Sequence, residues 1–180
     1  MPIVRRLASA ELLPEETSEL RGLFDSAWAE DPEEFTSEDW DHAVGGLHFI
    51  LEEGGAILAH ASVVERELHT GKHRLRTGYV EAVVTRPTHQ GMGYGTSVMR
   101  EVDEYIDRTF QLGALGTGAF AFYERLGWLV WQGPTFVRTD SRINRTAEED
   151  GYVLVRLTPS SPELDLSAPI SCDWRPGDVW

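Results

Sequence analysis

The sequence is most easily bounded by what it lacks. One cysteine, Cys172, stands in 180 residues, so no disulfide can close within the chain and a reducing compartment is acceptable. Six histidines (His42, His48, His60, His69, His73 and His89) show no recognised metal-ligand spacing, and without a cysteine pair no metal site is expected. His42 and His48 flank Gly45-Gly46, which suits a helix end better than a ligand pair. Positive charge is scarce too. Sixteen Lys and Arg face 30 Asp and Glu, a formal net charge of −14. Nucleic acid and anionic membranes would be repelled, so neither is an expected partner, whereas a cationic small molecule or basic peptide would be attracted. No apolar run approaches the roughly 20 residues of a membrane span, and Arg5-Arg6 is followed by no long apolar stretch of a secretory signal. The expected compartment is the cytoplasm. There is no internal repeat and no domain-length linker.

What is present suits one globular domain over residues 1–180, with 41% hydrophobic and 26% charged residues. Ile3 to Leu7 reads as a short edge strand. Pro14-Glu15-Glu16 opens a helix, with Pro near its first position and acids in its first turn. Leu20, Leu23, Phe24, Ala27 and Trp28 continue it at helical spacing, and Asp31-Pro32 ends it. Ser37 to Val44 is a shorter helix capped at Thr36 or Ser37 and stopped by Gly45-Gly46. Leu47–Leu51 and Ala56–Leu68 form a hairpin around Glu53-Gly54-Gly55, and Leu75–Thr85 follows as the next antiparallel strand. Val98, Met99, Val102, Tyr105, Ile106 and Phe110 mark the apolar stripe of a long helix. Leu112–Leu115 is a buried strand, Ala119–Leu126 a short helix and Trp128–Trp131 another strand. Polar Gly133–Asp150 is expected to be an exposed loop with one short strand near Phe136, and Tyr152–Leu157 the last strand. This order gives an α+β fold: a mixed, mostly antiparallel central sheet flanked by about four helices, not a doubly wound one.

The stretch that organises the chain is Gly78 to Met99. Its first half is an almost wholly apolar strand holding one carboxylate, Glu81. Burying a lone carboxylate costs several kcal/mol (roughly) unless it has water, a partner or a function. A structural ion pair with Arg74, Arg76 or another basic side chain is the alternative to a chemical role. The second half, Gln90-Gly91-Met92-Gly93-Tyr94-Gly95, runs into a helix N-terminus. Converging backbone N–H groups and the positive end of the helix dipole make an anion site there. Glycine lets the ligand reach the backbone and tolerates positive φ.

Gln90-x-x-Gly93-x-Gly95 after an apolar strand resembles the acetyl-CoA pyrophosphate loop of the GCN5-related N-acetyltransferases (GNAT). Phe122-Tyr123-Glu124-Arg125-Leu126-Gly127-Trp128 looks like the second signature of that superfamily. A narrower likeness covers nearly the whole chain. Phe35-Thr36 with Asp39-Trp40, Gly45-Gly46-Leu47-His48, Gly78-Tyr79-Val80-Glu81-Ala82, Phe110-Gln111-Leu112-Gly113 and the ending Cys172-Asp173-Trp174-Arg175 to Asp178-Val179-Trp180 resemble the aminoglycoside 2'-N-acetyltransferases. The ending is the most telling, because superfamily membership gives no reason for it.

The resemblance implies a GNAT fold and acetyl-CoA as co-substrate, with no metal. Catalytic roles fall on Glu81 as general base through a water, on Tyr123 as general acid and on the Val83 N–H, which would polarise the thioester carbonyl. Val83, Val84 and Thr85 would pair with the pantetheine arm, and Gln90, Gly91, Met92, Gly93, Tyr94, Gly95 and Thr96 would hold the pyrophosphate. Substrate contacts fall on Glu34, Asp39, Glu81, Ala82, Gly116, Glu149, Asp178 and the Trp180 carboxylate, with residues 159–180 a tail docked by the substrate. A homodimer is implied as well. Three features depart from the family: Gly116-Thr117-Gly118 replaces its serines, the segment from there to Tyr123 is shorter than in some members, and Glu34 stands where an aspartate is usual. The implied function is acetylation of the 2'-amino group of aminoglycoside antibiotics, and hence resistance. Two alternatives are a GNAT enzyme acting on another cationic amine, such as a cell-wall precursor, polyamine or basic peptide, and a CoA- or drug-binding protein with little turnover.

Overall fold

The structure, a computed structural model, describes residues 3–30 and 35–180. In chain order its elements are β1 (Ile3–Ala8), α1 (Pro14–Ala27), α2 (Ser37–Ala43), β2 (Leu47–Glu53), β3 (Ala56–Thr70), β4 (His73–Thr85), α3 (Tyr94–Thr109), β5 (Leu112–Gly116), α4 (Phe120–Glu124), β6 (Leu129–Val130), β7 (Thr135–Arg138), β8 (Ile143–Arg145), β9 (Val153–Leu157) and β10 (Ile170–Asp173). Two compact units result, Met1–Val64 with Val80–Asp103, and Glu65–Tyr79 with Glu104–Trp180. Strands β3 and β4 and helix α3 contribute a stretch to each.

In the first unit, β1 pairs antiparallel with β2, Leu7 opposite His48, and β2 pairs antiparallel with β3, His48 opposite Ser62. Helix α1 starts as its sequence dictates: Pro14 occupies the first turn, and the Glu16 carboxylate accepts from the Leu13 N–H at 2.9 Å. That bond holds the Glu16 carboxyl below its usual pKa. Leu20, Leu23 and Phe24 are buried with Leu7, Trp40, Ile50, Ile57 and Val84 in one core. Each such side chain contributes about 1.5–3 kcal/mol. Phe24, Trp28 and Phe35 stack, with ring centroids 4.4–5.9 Å apart.

In the second unit the strand order is β6-β9-β5-β4-β3-β10-β7-β8. β4 runs parallel to β5 and β10 parallel to β7, while β5–β9, β6–β9, β7–β8 and β3–β10 are antiparallel. The sheet is mixed and mostly antiparallel, as expected. Three local expectations are corrected. Gly133–Asp150 holds the short strand expected near Phe136, as β7, but the rest is not an open loop: β8 pairs with it in a hairpin, because the polar residues satisfy one another. Thr135 and Thr146 are buried and joined at 2.9 Å between their hydroxyls, and Arg145 pairs with Asp150. Tyr152–Leu157 holds β9 but not the last strand, since β10 follows it. The strand expected over Trp128–Trp131 keeps only Leu129–Val130, its flanking tryptophans being buried on either side.

Candidate active site

The first unit holds the strand and the glycine loop. On β4, Val80 and Val84 are buried, whereas Glu81, Ala82 and Val83 are all half-buried. The interruption lies at Ala82, which has φ +52° and is the one non-glycine with positive φ among the described residues. Its carbonyl accepts a hydrogen bond from His60 Nδ1 at 2.8 Å. Arg74 and Arg76 are paired elsewhere, Arg74 with Glu67 at 2.9 Å and Arg76 with Glu65 at 2.8 Å.

After Thr85 the chain turns at Arg86, whose N–H donates to Leu58 O and whose guanidinium donates to Ile57 O, both at 2.8 Å. A single 3-10 turn, Pro87–His89, leads to the loop. Gly91 and Gly93 have φ +78° and +86°. A Cβ built on either would meet nothing within 4 Å, so the backbone lies open to a ligand. Helix α3 starts at Tyr94, its first backbone bond running from Ser97 N to Gly93 O at 2.9 Å. No acid sits in its first turn, so no side chain neutralises the positive end of its dipole. The Gln90 amide is 3.5 Å from Thr85 O, and the Tyr94 hydroxyl donates to Glu53 at 3.1 Å. A cavity of about 590 Å³ opens beside Gln90, between Pro87 and the end of α1 at Ser26–Glu30. Asp39 sits in the first turn of α2, where Oδ2 accepts from the Thr36 N–H at 2.6 Å. It therefore serves as a helix cap as well as a candidate contact. Glu34 lies outside the described residues.

The second unit collects Tyr123, Gly116, Glu149, Asp178 and Trp180. Tyr123 is buried on α4, with its ring edge-on to Phe122 at 4.9 Å and Trp128 at 6.2 Å. Burial raises its phenol pKa above the ordinary value of 10, so the hydroxyl keeps its proton. Residues 159–180 are fixed along their length. Trp131 Nε1 donates to Ala168 O at 2.9 Å, and Gly133 lies so close that a Cβ there would fall 1.9 Å from the same oxygen. Strand β10 comes next. Trp180 is then buried, its indole N–H donating to Thr146 Oγ1 at 3.0 Å and its backbone N–H to Asp178 at 3.1 Å. Arg66 donates to Val179 O at 2.8 Å and Arg175 to Asp178 O at 2.7 Å. Both guanidinium groups lie over the Tyr79 ring, 4.6 Å and 5.5 Å from its centroid. This brings Trp180 to Gly116, where a Cβ would be 3.5 Å from the Trp180 carbonyl carbon. The Glu149 carboxyl pKa is raised by burial and by the Asp178 and Glu148 charges. Three predicted contacts, Gly116, Asp178 and Trp180, are thus adjacent, and Glu149 feels the Asp178 charge.

The sequence pattern of the acetyltransferase (GNAT) domain matches residues 10–130. An aminoglycoside 2'-N-acetyltransferase from Mycolicibacterium fortuitum is 45% identical over 151 residues, 82% of this chain and 77% of that protein. The chain belongs to the aminoglycoside 2'-N-acetyltransferase family. Solved structures carry the fold alone. A GNAT acetyltransferase from Brucella melitensis, in complex with acetyl-CoA, superposes with a TM-score of 0.60 at 16% identity, covering 93% of this chain and 94% of that one. A GCN5-related N-acetyltransferase from Kribbella flavida gives 0.57 at 20% identity over 74% of this chain. The match covers only 34% of that longer protein. The matched GNAT domain includes Gln90–Gly95, the candidate acyl-donor loop.

Each unit also holds groups to which sequence reading gave no role. Tyr79, Arg66 and Arg175 pin the tail, and His48 with His60 reaches Ala82. Tyr79 could have been suspected as an aromatic on the strand that bears Glu81. His48 ends the Gly45–His48 motif but carries no assigned role, and His60 lies in no motif. A second cavity, about 330 Å³, is lined by Thr70, Phe136, Arg138, Ile143 and Ile170 among others, and by none of the predicted site residues.

Proposed function

We propose that this acetyltransferase moves an acetyl group from acetyl-CoA to the 2'-amino group of an aminoglycoside. The observation that carries the reading is the 45% identity over 82% of the chain to a protein of that activity. The open Gly91 and Gly93 backbone and the acid-free first turn of α3 fit a pyrophosphate, with Gln90 to Thr96 as its cradle and Val83 to Thr85 beside the pantetheine arm. Acetyl-CoA, when bound, supplies an acetyl group on a thioester, whose carbonyl carbon is the electrophile.

An aminoglycoside amine is largely ammonium at neutral pH and must lose a proton to attack. In our reading the Glu81 carboxylate takes that proton through an ordered water. The Val83 N–H donates to the carbonyl oxygen as negative charge builds there. The new N–C bond forms as the C–S bond breaks, and Tyr123 Oη gives its proton to the departing sulfur. Burial keeps the phenol protonated until the sulfur departs; it also makes the phenol a weaker acid, so the donation depends on its position beside the leaving sulfur. As the C–S bond breaks the nitrogen sheds its second proton to solvent, while Glu81 gives up its own and Tyr123 recovers one, so each turnover releases one proton net.

Glu149 and Asp178 act as counter-charges for the polycation, Asp39 and Ala82 as further contacts. A cation beside Glu149 offsets the burial and the like charges that raise its pKa. The net charge of −14 draws the substrate in before contact.

The test is free-thiol release from acetyl-CoA by purified protein with paired aminoglycosides that differ only in a 2'-amino or 2'-hydroxy group. Release with the first and not the second is expected. Release only with polyamines or basic peptides would assign another cationic amine, and binding without release would remove the enzymatic reading.

A further inference from the structure

Two fully buried histidines in the first unit take no part in the chemistry above. Ser9 Oγ lies 2.7 Å from His48 Nε2, His48 Nδ1 lies 2.8 Å from His60 Nε2, and His60 Nδ1 lies 2.8 Å from Ala82 O. The Gly45 N–H donates to Ser9 Oγ at 2.8 Å. We infer that His60 and His48 are positioning residues, forming with Ser9 a one-way hydrogen-bond chain that holds the Ala82 carbonyl and with it the left-handed backbone between Glu81 and Val83. The inference rests on the roles proposed for Glu81 and Val83.

The direction of the chain follows from its end. A carbonyl can only accept, so His60 must carry its proton on Nδ1. A neutral ring then offers Nε2 as an acceptor, which requires His48 to donate from Nδ1. His48 Nε2 in turn accepts the Ser9 hydroxyl proton, and the Ser9 oxygen accepts from Gly45. The Ser9 hydroxyl also lies 3.3 Å from Gly46 O, but His48 Nε2 at 2.7 Å is the nearer acceptor and takes its proton. Burial lowers both imidazole pKa values, to about 4 for His48 and about 3 for His60, so both rings are neutral at physiological pH. All four ring nitrogens are occupied, which leaves no lone pair for a metal.

The same reasoning excludes a proton relay. The chain ends on an amide carbonyl, which neither stores nor passes on a proton at neutral pH. What it fixes is geometry. Ala82 has φ +52°, a conformation that an L-residue with a Cβ resists and that persists only where its surroundings impose it. Rings from α1 and α2 hold the histidines in turn: Phe24 stands edge-on to His60 at 5.6 Å, and Trp40 lies 6.2 Å from His48. Releasing Ala82 would let β4 return to regular pleating and turn the Val83 N–H and the Glu81 side chain away from their working directions.

Long-range proton–nitrogen NMR on the wild-type protein, with His60→Leu and His48→Leu for assignment, tests the chain without reference to activity. Both buried rings should be Nδ1–H tautomers, the minor form in water. An Nε2–H tautomer at His60 overturns the inference. Kinetics test the consequence. His60→Leu should lower kcat by about ten-fold or more, as expected when reacting groups are misplaced, with both KM values changed less than about three-fold. His60→Asn, whose side-chain N–H can replace Nδ1–H, should recover most of kcat. A folded His60→Leu with full kcat, or a His60→Asn as slow as His60→Leu, overturns it. If the wild-type protein acetylates no amine, the proposed function fails while the tautomers still decide this inference.

Discussion

Acidification should unfold this protein through two histidines before its carboxylates matter. In the unfolded chain, His48 and His60 titrate near 6.5; in the fold they titrate near 4 and 3, because burial disfavours the charged ring. The unfolded state therefore binds more protons than the folded state below about pH 6.5, and stability falls as pH falls. The histidine contribution is complete above that pH and declines down to the folded pKa values. Between about pH 7.5 and about pH 5.5, each ring should cost about 1.4 kcal/mol and the pair about 3 kcal/mol. Carboxylates held low by partners, such as Glu16, Glu65 and Asp150, lose their contribution only below about 4.5, outside this window. Glu149, with its raised pKa, acts in the opposite sense but is half-exposed and screened. Urea unfolding followed by tryptophan fluorescence reads the effect. With a slope of about 2 kcal/mol/M, the midpoint should drop by about 1.4 M. In His48→Gln/His60→Asn the drop should largely vanish. An unchanged wild-type midpoint, or an equal drop in the double variant, would refute the reasoning.

Further outcomes concern the site. Glu81→Gln should lower kcat/KM by about 10²-fold at neutral pH and recover partly at alkaline pH, where more amine is already neutral; an unchanged pH–rate profile removes Glu81 as base. Glu149→Gln with Asp178→Asn should raise KM for the aminoglycoside by about ten-fold and flatten its salt dependence, leaving KM for acetyl-CoA alone; equal effects on both substrates would contradict the division of labour. Gly93→Ala places a Cβ at φ +86°, at about 1–2 kcal/mol, and should weaken CoA binding in calorimetry, whereas unaltered affinity would move the pyrophosphate elsewhere.

Much of the fold could be read from local pattern. The 3.6-residue stripe of α3, the proline and acids opening α1, the glycines ending α2 and the β2–β3 turn all act within a few residues, and each element formed where its signals lie. Non-local satisfaction escaped. Strand β7 is expected near Phe136, but β8 looks like a polar loop because Arg142, Asn144, Arg145 and Thr146 are polar, and only its pairing with β7 makes it a strand. Strand β10 is four residues long and owes its existence to β3 and β7, distant in sequence. At the site, the glycine loop was legible because glycine marks its own conformation. The left-handed turn at Ala82 was not, since alanine gives no such sign. The His48–His60 contact needs the β2–β3 register, in which His48 faces Ser62 and Ile50 faces His60, so that the two histidines meet diagonally.

The central claim is that this chain acetylates aminoglycosides on the 2' nitrogen. The most direct measurement is the structure of the product, by tandem mass spectrometry and NMR, after incubation with acetyl-CoA and an aminoglycoside bearing several amines. A single acetyl group on the 2' nitrogen is expected. An acetyl group on another nitrogen, or no acetylated product while the thioester is consumed, would contradict it.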